Sequence, residues 1–112
     1  RFELPSDNCE IHVGDKAMDG AQLRPDIVWF GEAVPMLDAA IDWVEEADIF
    51  VIIGTSLNVY PAAGLLHYVK RDVPVFLIDP NPVKDPYGKV TTYINSVASQ
   101  GVKQLIELLT NE

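Results

Sequence analysis

The residues best suited to chemistry in this sequence are Gly54-Thr55-Ser56 and, further along, Asp79. They are roughly 25 positions apart, close to the ~20 that separate a glycine turn from a ribose-binding acid in dinucleotide folds. Glycine lets a ligand approach the backbone, and the two hydroxyls can donate or accept hydrogen bonds. An acid at the end of the following strand accepts hydrogen bonds from ribose hydroxyls and repels a 2′-phosphate, which favours NAD over NADP. The G-x-G-x-x-G spacing is absent, so a pyrophosphate cradle at a helix N-terminus is not indicated. Sugar hydroxyls or an uncharged ring suit Gly54-Thr55-Ser56 better. Two plainer readings stand beside these: a strand-to-loop turn at Gly54, and an Asp-Pro turn at Asp79-Pro80.

Such residues need strands to carry them. Ile49–Ile53 is apolar on both faces, as a central parallel strand requires. Val73–Ile78 reads as the next buried strand, and Thr91–Ile94 as a short third one. Asp26–Phe30, β-branched and aromatic and closed by Gly31, also reads as a strand. From Pro35 the period becomes helical, with Leu37, Ala40, Ile41 and Val44 on one face and Asp38, Asp42, Glu45 and Glu46 on the other. A second helix is expected over Pro61–Lys70, with Leu65, Leu66 and Val69 inward. A third is expected over Gly101–Thr110, with Val102, Leu105, Ile106 and Leu109 inward. Residues 1–25, broken by Pro5, Gly14, Gly20 and Pro25, read as a loop-rich excursion with at most a short strand at Glu10–Val13. Strands alternating with helices through short loops imply an α/β fold. The expected architecture is the C-terminal half of a doubly wound, Rossmann-like parallel sheet with helices on both faces.

Composition narrows the partners. The chain has 112 residues and a formal net charge of −9, with no Lys/Arg cluster, which disfavours nucleic acid. No apolar run approaches the ~20 residues that cross a bilayer. The single cysteine, Cys9, rules out an internal disulfide framework and fits a reducing, cytoplasmic setting. The opening at Arg1, with no methionine, suggests a piece of a longer or processed protein.

Three stretches, "RPDIVWFGEAVP", "ADIFVIIGTSLNVYPAAGL" and "VFLIDPNP", resemble in order and spacing the C-terminal half of the sirtuins, the NAD-dependent protein-lysine deacylases. The likeness runs from about Leu23 to the C-terminus, and the "RPDIVWFGE" tryptophan is most similar to the class III branch of bacterial enzymes and desuccinylases. The resemblance implies residues 1–24 as a remnant of the small zinc-module-like excursion and residues 25–112 as half of the NAD-binding domain. It implies NAD contacts at Gly54, Thr55, Ser56, Asp79, Pro80, Asn81 and Ala98. Asp79 and Asn81 stand where the family usually has Asn and Glu. It further implies that Phe30-Gly31-Glu32 and Leu57-Asn58-Val59 are two backbone edges between which an acylated-lysine peptide adds as a strand, with Val28 lining the acyl-lysine channel. Trp29 and Phe30 also read simply as core aromatics.

The same resemblance implies absences. The family's G-A-G-x-S loop and catalytic histidine are not in this sequence, and neither His12 nor His67 matches that base, so no catalytic residue is assigned and the segment alone is expected to be inactive. Where the family carries a second C-x2-C pair for zinc there is only Cys9, with Lys16-Ala17 and Ala21 near the expected ligand positions. No metal is expected, and the excursion would be held by packing instead. The missing N-terminal half of the same protein is an expected partner, and a half-sheet on its own is expected to self-associate. The alternative functions are a non-catalytic module that binds ADP-ribose or a partner chain, and an unrelated flavodoxin- or receiver-like domain. The last lacks the acidic cluster it would need after the first strand.

Overall fold

A computed structural model describes residues 1–111, which form two compact units, Arg1–Ala33 and Val34–Glu112. The second unit carries the regular structure. Its order is α1 (Leu37–Glu46), β1 (Phe50–Ile53), a 3₁₀ helix (Ala62–Tyr68), β2 (Val75–Ile78), β3 (Thr92–Ile94) and α2 (Ala98–Thr110).

The three strands form one parallel sheet in the order β1-β2-β3. β2, flanked on both sides, is buried along its whole length, the burial expected of a central parallel strand. Its alternate residues feed two cores. Val75 and Leu77 join Ile52, Val44, Leu57, Ala63, Leu66 and Val69 on the face covered by α1 and the 3₁₀ helix. Phe76 and Ile78 join Ile94 and Leu105 on the face covered by α2. The α/β architecture with helices on both faces of a parallel sheet is therefore the observed one.

α2 sits unusually close to the sheet. Gly101 is buried, and a Cβ there would fall 2.2 Å from Ile78 Cγ2 and 3.4 Å from Ile94 Cγ2. Only glycine permits this approach, the same use a dinucleotide fold makes of its helix–sheet glycine. α2 accordingly begins at Ala98 rather than at Gly101. Of the side chains expected inward, Leu105 is buried and Val102 partly so. Ile106 and Leu109 are exposed, because the sheet reaches α2 only around Gly101 and Leu105.

The helix expected over Pro61–Lys70 is a 3₁₀ helix spanning Ala62–Tyr68, with Leu66 and Val69 buried as anticipated and Leu65 partly buried.

The first unit differs most from expectation. Asp26–Phe30 is not a strand, and no strand forms at Glu10–Val13. The Ile27 N–H donates to Pro25 C=O at 2.9 Å, and the Glu32 N–H donates to Trp29 C=O at 3.1 Å across a turn with Gly31 at φ 86°. Those turns consume backbone groups that a ladder would need. No residue of this unit is buried, so packing does not hold it. Hydrogen bonding does. An antiparallel bridge pairs Lys16 with Gln22. The Gln22 Nε2 donates to His12 C=O and Leu23 C=O, while its Oε1 accepts from Gly14 N–H.

Candidate functional site

β1 and β2 run side by side, and Ile53 pairs with Ile78 at their carboxyl ends. One step on, Gly54 N–H donates to Ile78 C=O at 2.9 Å, so Gly54 and Asp79 leave the sheet from adjacent positions. This is where an open parallel sheet places a ligand crevice. Gly54 has φ 64°, a left-handed conformation that glycine adopts freely, and nothing lies within 4 Å of the position its Cβ would take. The exit of β1 is open space.

Each neighbouring group has a defined partner. Thr55 Oγ1 accepts the Leu57 N–H at 3.2 Å, closing a short turn. Leu57 adopts φ 57°, rare for a residue with a side chain, and its side chain is buried in the core. The strained residue thereby anchors the loop, while Ser56, Asn58 and Val59 remain exposed. Asp79 is buried, the only polar side chain so placed among the described residues. Its N–H donates to Ile94 C=O at 3.2 Å, which locks it to β3, and its Oδ1 accepts the Asn81 N–H at 2.8 Å. A carboxylate has further lone pairs, so Asp79 keeps acceptor capacity. Pro80 and Asn81 are exposed beyond it, and Ala98 opens α2 just past β3.

Among the peptide-edge candidates, Leu57-Asn58-Val59 belongs to the β1 exit loop, and Val59 C=O accepts the Ala63 N–H at 2.9 Å. Val28, Phe30, Gly31 and Glu32 belong to the other unit, as a turn rather than an extended edge. Phe30 is 91% exposed, so it is not the core aromatic its composition allowed. Glu32 is fixed by Arg24, with Nη1 2.6 Å from Oε1 and Nη2 3.0 Å from Oε2, and by the Trp29 N–H at 3.1 Å. The Arg24 hydrogen bonds, then that N–H, lower the Glu32 carboxyl to about 2.

Sequence reasoning did not find the role of Asp85 in the loop that follows Asp79. The Asp85 carboxylate accepts N–H groups from Tyr87, Lys89 and Val90 at 2.8, 2.5 and 2.7 Å. Burial opposes its ionisation, but these backbone donors outweigh burial and hold it below the usual carboxylate range. Beside the loop lies a cavity of about 310 Å³ between α1 and the 3₁₀ helix, walled by Tyr60, Tyr68, Tyr87 and His67. His67 packs against the rings of Tyr68 and Tyr87, each 5.5 Å away, in a structural setting. Cys9 is exposed, and no group of three His, Cys, Asp or Glu residues capable of holding a metal occurs among the described residues.

A parallel α/β sheet whose neighbouring strands end in a glycine–hydroxyl turn and a buried acid is the arrangement of an open, doubly wound α/β protein, with the ligand position beyond the strands' carboxyl ends. Comparison with known proteins makes this specific. The Sir2 family pattern matches residues 4–61. A Bacteroides thetaiotaomicron NAD-dependent protein deacylase is 59% identical over 107 residues, covering 96% of this chain and 46% of that protein. Among solved structures, a Sir2 homologue–NAD complex superimposes with TM-score 0.74 at 33% identity, over 87% of this chain and 39% of the other. Another, Sir2Tm bound to a propionylated peptide, gives TM-score 0.68 at 27% identity over 84% of this chain and 41% of that one. The chain belongs to the Sir2 family, and it spans about half the length of the curated relatives it matches.

Proposed function

We propose that this chain supplies the nucleotide crevice and one peptide-binding edge of an NAD-dependent protein-lysine deacylase. The observation that carries this is the exit of two adjacent parallel strands at Gly54 and Asp79, joined by the Gly54 N–H to Ile78 C=O bond. The residues fit NAD on two counts: open space beside a left-handed Gly54, and a buried Asp79 carboxylate with acceptor capacity to spare. Asp79 would accept from ribose hydroxyls, with Pro80 and Asn81 flanking it and Ala98 beside the adenine. Ser56 and Thr55 would hydrogen-bond the second ribose side, Thr55 by donating, since its oxygen already accepts from Leu57. NAD, when bound, supplies the ADP-ribose that accepts the acyl group.

The acylated-lysine peptide would lie along Leu57-Asn58-Val59. Taken by itself, the first unit offers Val28 and the exposed Phe30-Gly31-Glu32 turn as peptide-contacting residues. No residue of this chain is assigned the catalytic base: His67 is engaged by two tyrosine rings, and His12 lies 3.4 Å from Glu10 and 3.6 Å from Asp15 in the excursion. The base would come from residues outside this sequence. A cytoplasmic setting accords with the lone, exposed Cys9.

The test is turnover of acetyl-, propionyl- and succinyl-lysine peptides by the full-length protein with and without NAD. NAD-dependent loss of the acyl group with stoichiometric nicotinamide release supports the reading. ADP-ribose binding without turnover of any acyl peptide would replace it with the non-catalytic module.

A further inference from the structure

The loop between β2 and β3 grips the 3₁₀ helix at both ends. A 3₁₀ helix of seven residues exceeds the usual 3–4, and its hydrogen-bond geometry is poor, so it depends on anchors from outside. At its C-terminal end the Lys89 ammonium donates to both His67 C=O and Val69 C=O, the latter at 2.5 Å. A cation on the carbonyl end is the favourable sense for a helix. Near its N-terminal end Tyr87 meets Tyr60 over Gly64, whose Cβ position lies 3.7 Å from the Tyr60 ring and 4.0 Å from the Tyr87 hydroxyl. Asp85 folds the loop that carries both residues, by accepting the Tyr87, Lys89 and Val90 N–H groups.

The gripped helix leads directly back to the site. Its first turn bonds Val59 C=O through the Ala63 N–H at 2.9 Å, and Val59 ends the exposed edge that follows Leu57. The gripping loop begins at Asp79-Pro80-Asn81. One loop therefore carries the candidate ribose acid at its start and the clamp on the candidate peptide edge at its end.

We infer that Lys89 and Asp85 are positioning residues that hold the Leu57-Asn58-Val59 edge in its peptide-accepting geometry, acting through the 3₁₀ helix. The role in peptide binding rests on the deacylase reading above. The hydrogen bonds of Lys89 go to Asp85, His67 and Val69 rather than to the crevice or the peptide edge, so its effect on where the edge stands is transmitted through the helix.

The experiment is steady-state kinetics of the full-length protein carrying Lys89→Met, Lys89→Arg or Asp85→Asn, paired with amide hydrogen exchange. Lys89→Met raises the peptide KM about tenfold, the scale of a small misplacement of a binding group, with kcat at saturation and the NAD KM within about twofold. Lys89→Arg, which keeps the cation, restores the peptide KM, and Asp85→Asn shifts it in the same sense as Lys89→Met. The Ala63 and Gly64 amides exchange faster in Lys89→Met while the Leu77 amide in the β2 ladder is unchanged. An unchanged peptide KM, or a fall in kcat alone as from a smaller folded fraction, overturns the inference. So does exchange that rises uniformly or not at all. If the unmutated protein turns over no acyl peptide, the deacylase reading fails, and amide exchange alone decides whether Lys89 holds the edge.

Discussion

Gly101→Ala is the substitution whose outcome the structure determines most sharply. In a helix interior alanine is better than glycine by about 1 kcal/mol, so propensity alone makes this change stabilising. The structure reverses the sign. The new methyl would stand 2.2 Å from Ile78 Cγ2, where carbon–carbon contacts sit at about 3.5–4.0 Å. Ile78 cannot move aside easily, because it is fully buried in the central strand and its β-branched side chain is stiff at χ1. Overpacking of this kind costs about 1–3 kcal/mol, and the depth of the overlap puts it at or above the upper end. The net is a destabilisation of about 2 kcal/mol, or about 10 °C in Tm for a unit of this size. Thermal and urea unfolding followed by far-UV circular dichroism measure it, with the exposed Gln104→Ala on the same helix as control. Ile78→Leu, which moves the branch from Cβ to Cγ, should recover about 1 kcal/mol of the loss in the double variant. A neutral or stabilising Gly101→Ala would refute the claim that α2 is seated through its glycine.

Three further outcomes follow. In the full-length protein, Ser56→Ala loses a single hydrogen bond, about 0.5–1.5 kcal/mol, so the NAD KM rises several-fold with Tm unchanged, and an unaltered KM removes Ser56 from the crevice. The Glu32 carboxyl titrates at about 2, held down by Arg24. Because its folded pKa is depressed, the ion pair's contribution is full above the ordinary carboxylate range and is lost as pH falls toward 2. An NMR titration of the Glu32 side chain should show that midpoint and its return toward the usual value in Arg24→Gln; a midpoint already near normal would contradict the pairing. Finally, the 112-residue chain should self-associate, since among the described residues β1 has a strand neighbour on one side only and Ile53, Ile106 and Leu109 are exposed. Sedimentation velocity at low micromolar concentration would show this, and a monodisperse monomer would argue against it.

The sheet and the adjacent exits of β1 and β2 were legible because their signals are patterned. The apolar runs at Ile49–Ile53 and Val73–Ile78 match β1 and β2, and the residue after each run is a carboxyl-end residue. Only β2 is the central, fully buried strand, while β1 lies at the edge of the three-stranded sheet with Ile49 and Ile53 exposed. α1 was legible from its amphipathic period. Other features gave no such signal. Asp26–Phe30 has strand composition, but Pro25 and Gly31 close turns around it, and local turn chemistry won over propensity. Ile106 and Leu109 keep the helical period of an inward face, yet contact with the sheet ends at Leu105, since periodicity records a face and not what covers it. Gly101 read as a helix start, whereas its missing Cβ is a packing feature that only the position of Ile78 reveals. The roles of Gln22, Asp85 and Lys89 depend on which backbone groups they meet, a matter of three-dimensional placement that no residue type announces.

NAD binding by this chain requires that the β1 and β2 exits face one ligand. Amide chemical-shift mapping of the isotope-labelled full-length protein with ADP-ribose tests it most directly. Gly54, Thr55 and Ser56 should shift together with Asp79, Asn81 and Ala98 along a single saturation curve. Saturable binding that leaves either the β1 exit or the β2 exit unmoved would contradict it.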